Sequence, residues 1–149
     1  MYSGCKNETF MKGIKLLFAL LVIGVYGTAQ PDEIKIIANP NIEASEISRD
    51  DLNRIFLMTK TSLAGASHVE PVLKKTGTLR DLFSEKYLER TNLALMTYYR
   101  SLMFSGKAAI PRSFDSDFEV AEFVAKTKGA IGYVSGTADT AGVKTLKVK

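Results

Sequence analysis

From Glu33 onward, short strand-like runs alternate with helix-like stretches, and that alternation restricts the architectures open to this chain. Glu33-Ile34-Lys35-Ile36-Ile37-Ala38 begins as an alternation and fills with β-branched residues, as a central strand covered on both faces does. Asn39-Pro40-Asn41 ends it, since proline cannot donate to a ladder. A loop at the carboxyl end of a strand is where open α/β sheets hold ligands, which makes Asn39 a candidate. Ser48 to about Leu57 reads as a helix, capped by Ser48 with Asp51 three residues on and Leu52, Ile55 and Phe56 inward. His68 to Leu73 is a second strand. Helices follow over Leu79 to about Leu88 and from Thr91 or Asn92 to about Met103. A short extended segment spans Lys107 to Arg112, and Ser116-Asp117-Phe118-Glu119 is a capping box opening a fourth helix that Gly129 closes. Ala130 to Val134 and Val143 to Val148 are the last strands. This order predicts a three-layer α/β domain with a mostly parallel sheet.

The amino-terminal part is of another kind. Lys12 and Lys15 precede the apolar run Leu16 to Val25, followed by small residues at Gly27 and Ala29. That pattern predicts a secretory signal over residues 1–29, cleaved near Ala29, with Met11 a candidate true start. The run is short for a bilayer span, so a single exported domain over 30–149 is expected, with no membrane insertion after cleavage. Removing Lys6, Lys12, Lys15 and Glu8 leaves 17 basic and 15 acidic residues. That near balance, with no dense basic face, argues against nucleic acid as a partner. Cys5 is the only cysteine and His68 the only histidine, so neither a metal centre, a cofactor site nor a thiol nucleophile is expected. No serine sits in a nucleophile motif, and the paired acids fall at helix starts; no enzyme is expected and no catalytic residue is named.

Val72-Leu73-Lys74-Lys75-Thr76-Gly77-Thr78 runs directly into the second helix. Leu79, Leu82, Phe83 and Tyr87 fall at helical spacing, so Thr76-Gly77-Thr78 marks a helix start. The first turn of a helix carries unpartnered N–H groups and the positive end of the dipole, and a glycine permits close approach. The site expected on this basis is an oxyanion held by amides of Gly77, Thr78 and Leu79 and hydroxyls of Thr76 and Thr78, with Lys74 or Lys75 supplying charge. The alternative is an ordinary threonine N-cap.

Leu52-Asn53-Arg54-Ile55-Phe56-Leu57, then Thr76-Gly77-Thr78, then Lys128-Gly129-Ala130-Ile131-Gly132-Tyr133-Val134 occur in that order. Together they resemble the periplasmic substrate-binding proteins of phosphate ABC transporters, in a short form, from Ile34 to about Val148. The resemblance implies a periplasmic-binding-protein type 2 fold and a periplasmic location. It also implies reversible binding of phosphate or a similar oxyanion, with an ABC permease or another envelope protein as partner. The family's Ser-Gly-Thr anion loop maps onto Thr76, Gly77 and Thr78, and its first-strand loop onto Ala38 to Asn41. Lys74 and Lys75 stand as substitutes for the arginine that full-length members place before the loop. A relative that keeps the fold as an envelope interaction module without a ligand is the second expectation, with Tyr98, Tyr99, Phe104 or Phe114 on its contact surface.

Overall fold

The computed structural model describes residues 33–149. The expected leader and start site lie outside the described residues, and none of the described helices is long and apolar enough to cross a membrane. Six strands form one sheet in the order β2-β6-β1-β5-β3-β4. They are β1 (Ile34–Ala38), β2 (Glu46–Ile47), β3 (Glu70–Lys74), β4 (Arg112–Phe114), β5 (Ala130–Ser135) and β6 (Lys144–Val148). The helices are α1 (Arg49–Phe56), α2 (Thr78–Leu88), α3 (Asn92–Phe104) and α4 (Asp117–Lys126).

Alternation along the strands builds two cores. Ile36, Ala38, Leu73, Ile131, Tyr133 and Leu146 face one way and are covered by Phe56, Phe83, Leu95 and Tyr99 from α1, α2 and α3. Their neighbours Ile37, Val72, Ala130 and Val134 face the other way, against Val120, Ala121 and Val124 of α4. A period of two thus makes three layers from one sheet. The layer of α4 lies very close: a Cβ on Gly132 would stand 3.0 Å from Val120 Cγ1. The caps are those the sequence predicts. Ser48 accepts from Asp51 N, and Ser116 and Glu119 close the capping box of α4.

Three features differ from the sequence reading. Strand β2 has two residues and carries no periodicity to read. The extended segment before α4 pairs only at Arg112–Phe114, parallel to β3 at the sheet edge. The third has the largest consequence: β1 is antiparallel to both of its neighbours, β5 and β6, so the other five strands share one direction and β1 opposes them. The sheet is still mostly parallel. However, the carboxyl end of β1 lies at the end of the sheet where β3 and β5 begin.

Candidate functional site

The strand-to-helix turn after β3 lies at the carboxyl ends of β3, β4 and β5. Lys75, Thr76, Gly77 and Thr78 are exposed there. Gly77 is the N-cap of α2, with φ 105° and ψ 165°, and no side chain caps the helix. That conformation belongs to glycine, and a Cβ added to it would meet nothing within 4 Å. Neither threonine acts as the N-cap, so the ordinary-cap alternative does not describe this turn. Arg80 N and Asp81 N both donate to the Gly77 carbonyl, whereas the amides of Gly77, Thr78 and Leu79 have no partner among the described residues. Three open N–H groups at the positive end of an eleven-residue helix can accept an anion.

The cations around this turn are unequal. Lys74 is 8% exposed. Its Nζ lies 2.9 Å from Asp117 Oδ1 and donates to the Asp115 carbonyl at 3.0 Å. Asp117 also accepts from Ser135 Oγ at 2.6 Å and Ser135 N at 3.1 Å. Burial raises the Asp117 pKa, but the hydrogen bonds from Ser135 and Lys74 outweigh it and hold the carboxyl below its ordinary range. Lys74 therefore serves as an internal tie between β3 and α4, its charge already balanced. Lys75 is exposed and only loosely paired, 3.4 Å from Asp115.

Arg80, which with Asp81 resembles the Arg-Asp that follows the family's anion loop although Leu79 intervenes, is not among the binding residues expected from the sequence, yet it lies directly beneath the turn. The expected inward face of α2 ran through Leu79 and Leu82, but both are half-buried. The buried face is Arg80, Phe83, Ser84, Tyr87 and Leu88. The signal was present in the spacing, since Arg80 stands three, four, seven and eight residues before the others; a charged residue is not normally assigned to a core stripe. Its guanidinium, on a residue 6% exposed, donates to the carbonyls of Lys74 and Lys75, to Asn92 Oδ1 at 2.5 Å and to Met96 Sδ at 2.9 Å. These acceptors are all neutral, and no carboxylate pairs with Arg80 among the described residues. A buried cation whose direct contacts are neutral, with the Asp81 carboxylate held beyond Asn92, places positive charge under the turn.

Tyr133 fixes the base of the turn. Its ring stacks on Phe83 at 3.8 Å between centroids, and its hydroxyl accepts from Lys74 N at 3.1 Å. Burial raises its pKa to about 12, so it stays a neutral acceptor at physiological pH. The Gly-Ala-Ile-Gly-Tyr-Val motif has packing reasons throughout. Gly129 passes so close to β3 that a Cβ would fall 2.1 Å from the His68 carbonyl, Gly132 admits α4, and Tyr133 holds the turn.

Asn39 is not brought to this site. Ala38 pairs with Ile131 near the start of β5, so the loop after β1 is at the opposite end of the sheet from Gly77. The expectation failed because β1 runs against the other strands. Asn39 Nδ2 donates to the carbonyls of Val124 and Ala125 at 2.8 and 2.9 Å, and its Oδ1 accepts from Asn41 N. Its side chain caps the end of α4. His68 is exposed, beside a larger concavity of about 550 Å³ under Lys107 to Arg112, where no second histidine accompanies it.

The sequence matches no protein-family model and no curated protein. Solved structures do share the fold. PstS from Borrelia burgdorferi superimposes with a TM-score of 0.61 at 17% identity, over 79% of this chain and 47% of that one. A protein from Clostridium perfringens, described as a phosphate ABC transporter substrate-binding protein and solved with bound phosphate, gives 0.60 at 19% identity, over 78% and 45%. An ABC-type phosphate transport receptor from Vibrio cholerae gives 0.53 at 16% identity, over 78% and 46%. This chain spans less than half the length of each. What it has in common with these structures is a mixed α/β fold with a mostly parallel sheet, over less than half of their length.

Proposed function

We propose that this chain is an exported, receptor-like domain that reversibly binds phosphate or a similar small oxyanion at the start of α2, in the service of ABC uptake. The observation that carries this reading is the exposed turn at Thr76 to Thr78, where the amides of Gly77, Thr78 and Leu79 have no partner among the described residues and the buried Arg80 guanidinium lies beneath with no direct carboxylate partner among them. The anion would accept from Gly77, Thr78 and Leu79 N–H and from the two threonine hydroxyls. Lys75 supplies mobile charge and Arg80 fixed charge from beneath; Lys74 is occupied by Asp117. The solved neighbours, which include a receptor with bound phosphate, support the ligand class through the fold they share. Exposed contacts at a helix terminus each contribute about 0.3–1 kcal/mol, so a site open to solvent binds weakly, with a Kd on the order of millimolar.

Isothermal titration of the full chain with phosphate and sulfate tests this. Thr78→Val should weaken phosphate binding about threefold by removing one hydroxyl donor. Absence of heat with both anions defeats the proposal.

A second reading, an envelope interaction module, draws on exposed apolar side chains of α3: Leu93 is 78% and Phe104 83% exposed. Of the other residues expected on such a surface, Tyr99 is buried with its hydroxyl on the Phe56 carbonyl, Tyr98 bonds the Leu57 carbonyl, and Phe114 packs on Phe123. Light scattering of the chain separates the readings: a stable dimer or complex favours this one, and a monomer that responds to phosphate favours the first.

A further inference from the structure

Lys75, just before the turn, and Arg80, just after it, open onto a groove of about 470 Å³. Lys75 and Arg80 line one side, Leu93 and Met96 of α3 form an apolar wall, and Arg100 stands one turn beyond Met96. A water takes about 30 Å³ and a five-atom oxyanion a few times that, so an inorganic ion fills a small part of the space. Pockets for organic ligands span about 300–1,000 Å³.

The chemistry of the lining is mixed in a particular way. Arg100, like Arg80, has no carboxylate partner among the described residues. Asn92 forms part of the floor and is itself held by Arg80 and Asp81. Met96 is half-buried with its sulfur committed to Arg80, which fixes the wall beside the guanidinium. Leu93 on the same wall is 78% exposed. An inorganic anion would satisfy the cations and leave Leu93 in water, whereas an anion carrying an organic group would use both.

We propose that the groove takes a soluble phosphate monoester, with the phosphoryl head at Lys75 and Arg80, at the edge nearest the open amides of α2, and the organic group across Leu93 and Met96. This rests on the oxyanion reading above and adds the class of ligand. Arg100 at the far end suits a polar or anionic substituent on the ester.

The test titrates the full chain with inorganic phosphate, phenyl phosphate and phenol. Phenyl phosphate should bind about tenfold more tightly than inorganic phosphate, since covering Leu93 and Met96 removes apolar surface from water, while phenol alone gives no measurable heat. Leu93→Asn, at a solvent-facing position, should abolish that tenfold preference, and Met96→Gln should reduce it. Equal affinities for ester and ion, or a preference that survives Leu93→Asn, overturn the monoester assignment and leave the oxyanion site standing. Silence toward both phosphate and phenyl phosphate overturns both readings. Binding to phosphatidic acid vesicles that phenyl phosphate does not displace would overturn the soluble ester in favour of a lipid surface.

Discussion

Two loops of this molecule follow strands, carry small polar residues and look equally suited to a ligand, yet they have opposite characters. At Asn39 both side-chain amide hydrogens and the carbonyl oxygen are engaged by the chain itself, on two α4 carbonyls and one neighbouring amide. Next to it, Asn41 Oδ1 accepts from Gly129 N at 2.9 Å. At Thr76 to Thr78 the side chains are exposed and the first helix amides have no partner among the described residues. A polar loop is available for binding only where the fold has not already consumed its donors and acceptors.

Substitutions at the two ends sharpen or break this contrast, and urea unfolding reads them all. Gly129→Ala should have the largest effect, a loss of about 4 kcal/mol from backbone strain and steric overlap, because Gly129 has φ +78° and a Cβ would fall 2.1 Å from the His68 carbonyl. A near-neutral result would mean that the lower loop is not tightly packed. Asn39→Ala should follow at about 3 kcal/mol, by stripping two helix-end carbonyls of their donor, with phosphate binding unchanged. If it abolished binding at full stability, Asn39 would return to the site. Gly77→Ala should cost about 2 kcal/mol from backbone strain alone, since a Cβ there meets no neighbour.

Asp117→Asn should cost least, about 1 kcal/mol at neutral pH because solvent reaches the pair, and its main signature is in acid. The Asp117 pKa is depressed in the folded protein. Its contribution is therefore complete above the unfolded value of about 3.9 and is lost as pH falls through the lower folded value. The wild-type stability curve should drop more steeply than that of Asp117→Asn between about pH 5 and 2. Parallel acid limbs would show that the Lys74–Asp117 tie contributes nothing.

What could be read from the sequence was local. Ser48 and Ser116 announce their helices because a cap and its target are three residues apart. Ile36 and Ile37 announce two covered faces because adjacent residues of a strand point opposite ways. The start of α2 was legible in Thr76-Gly77-Thr78 for the same reason. The direction of β1 was not, because it is decided by pairing with β5, about a hundred residues along the chain. Nor was the role of Asn39, whose partners Val124 and Ala125 lie 85 and 86 positions away. The resemblance picks out Arg80, but not its burial, which depends on carbonyls that only the turn of β3 into α2 brings together.

Strand β3 pairs with β5 at Glu70 and Pro71, then continues beside β4 alone, while the Tyr133 phenol meets Lys74 N across the gap. Beyond that fork the turn into α2 is held on one side by β4, where Lys75 N donates to the Phe114 carbonyl, and on the other by side chains alone, the Tyr133 phenol and the Arg80 guanidinium. On its β5 side the turn therefore hangs from side chains rather than from backbone pairing, and its seating there is separable from the register that joins β3 to β5.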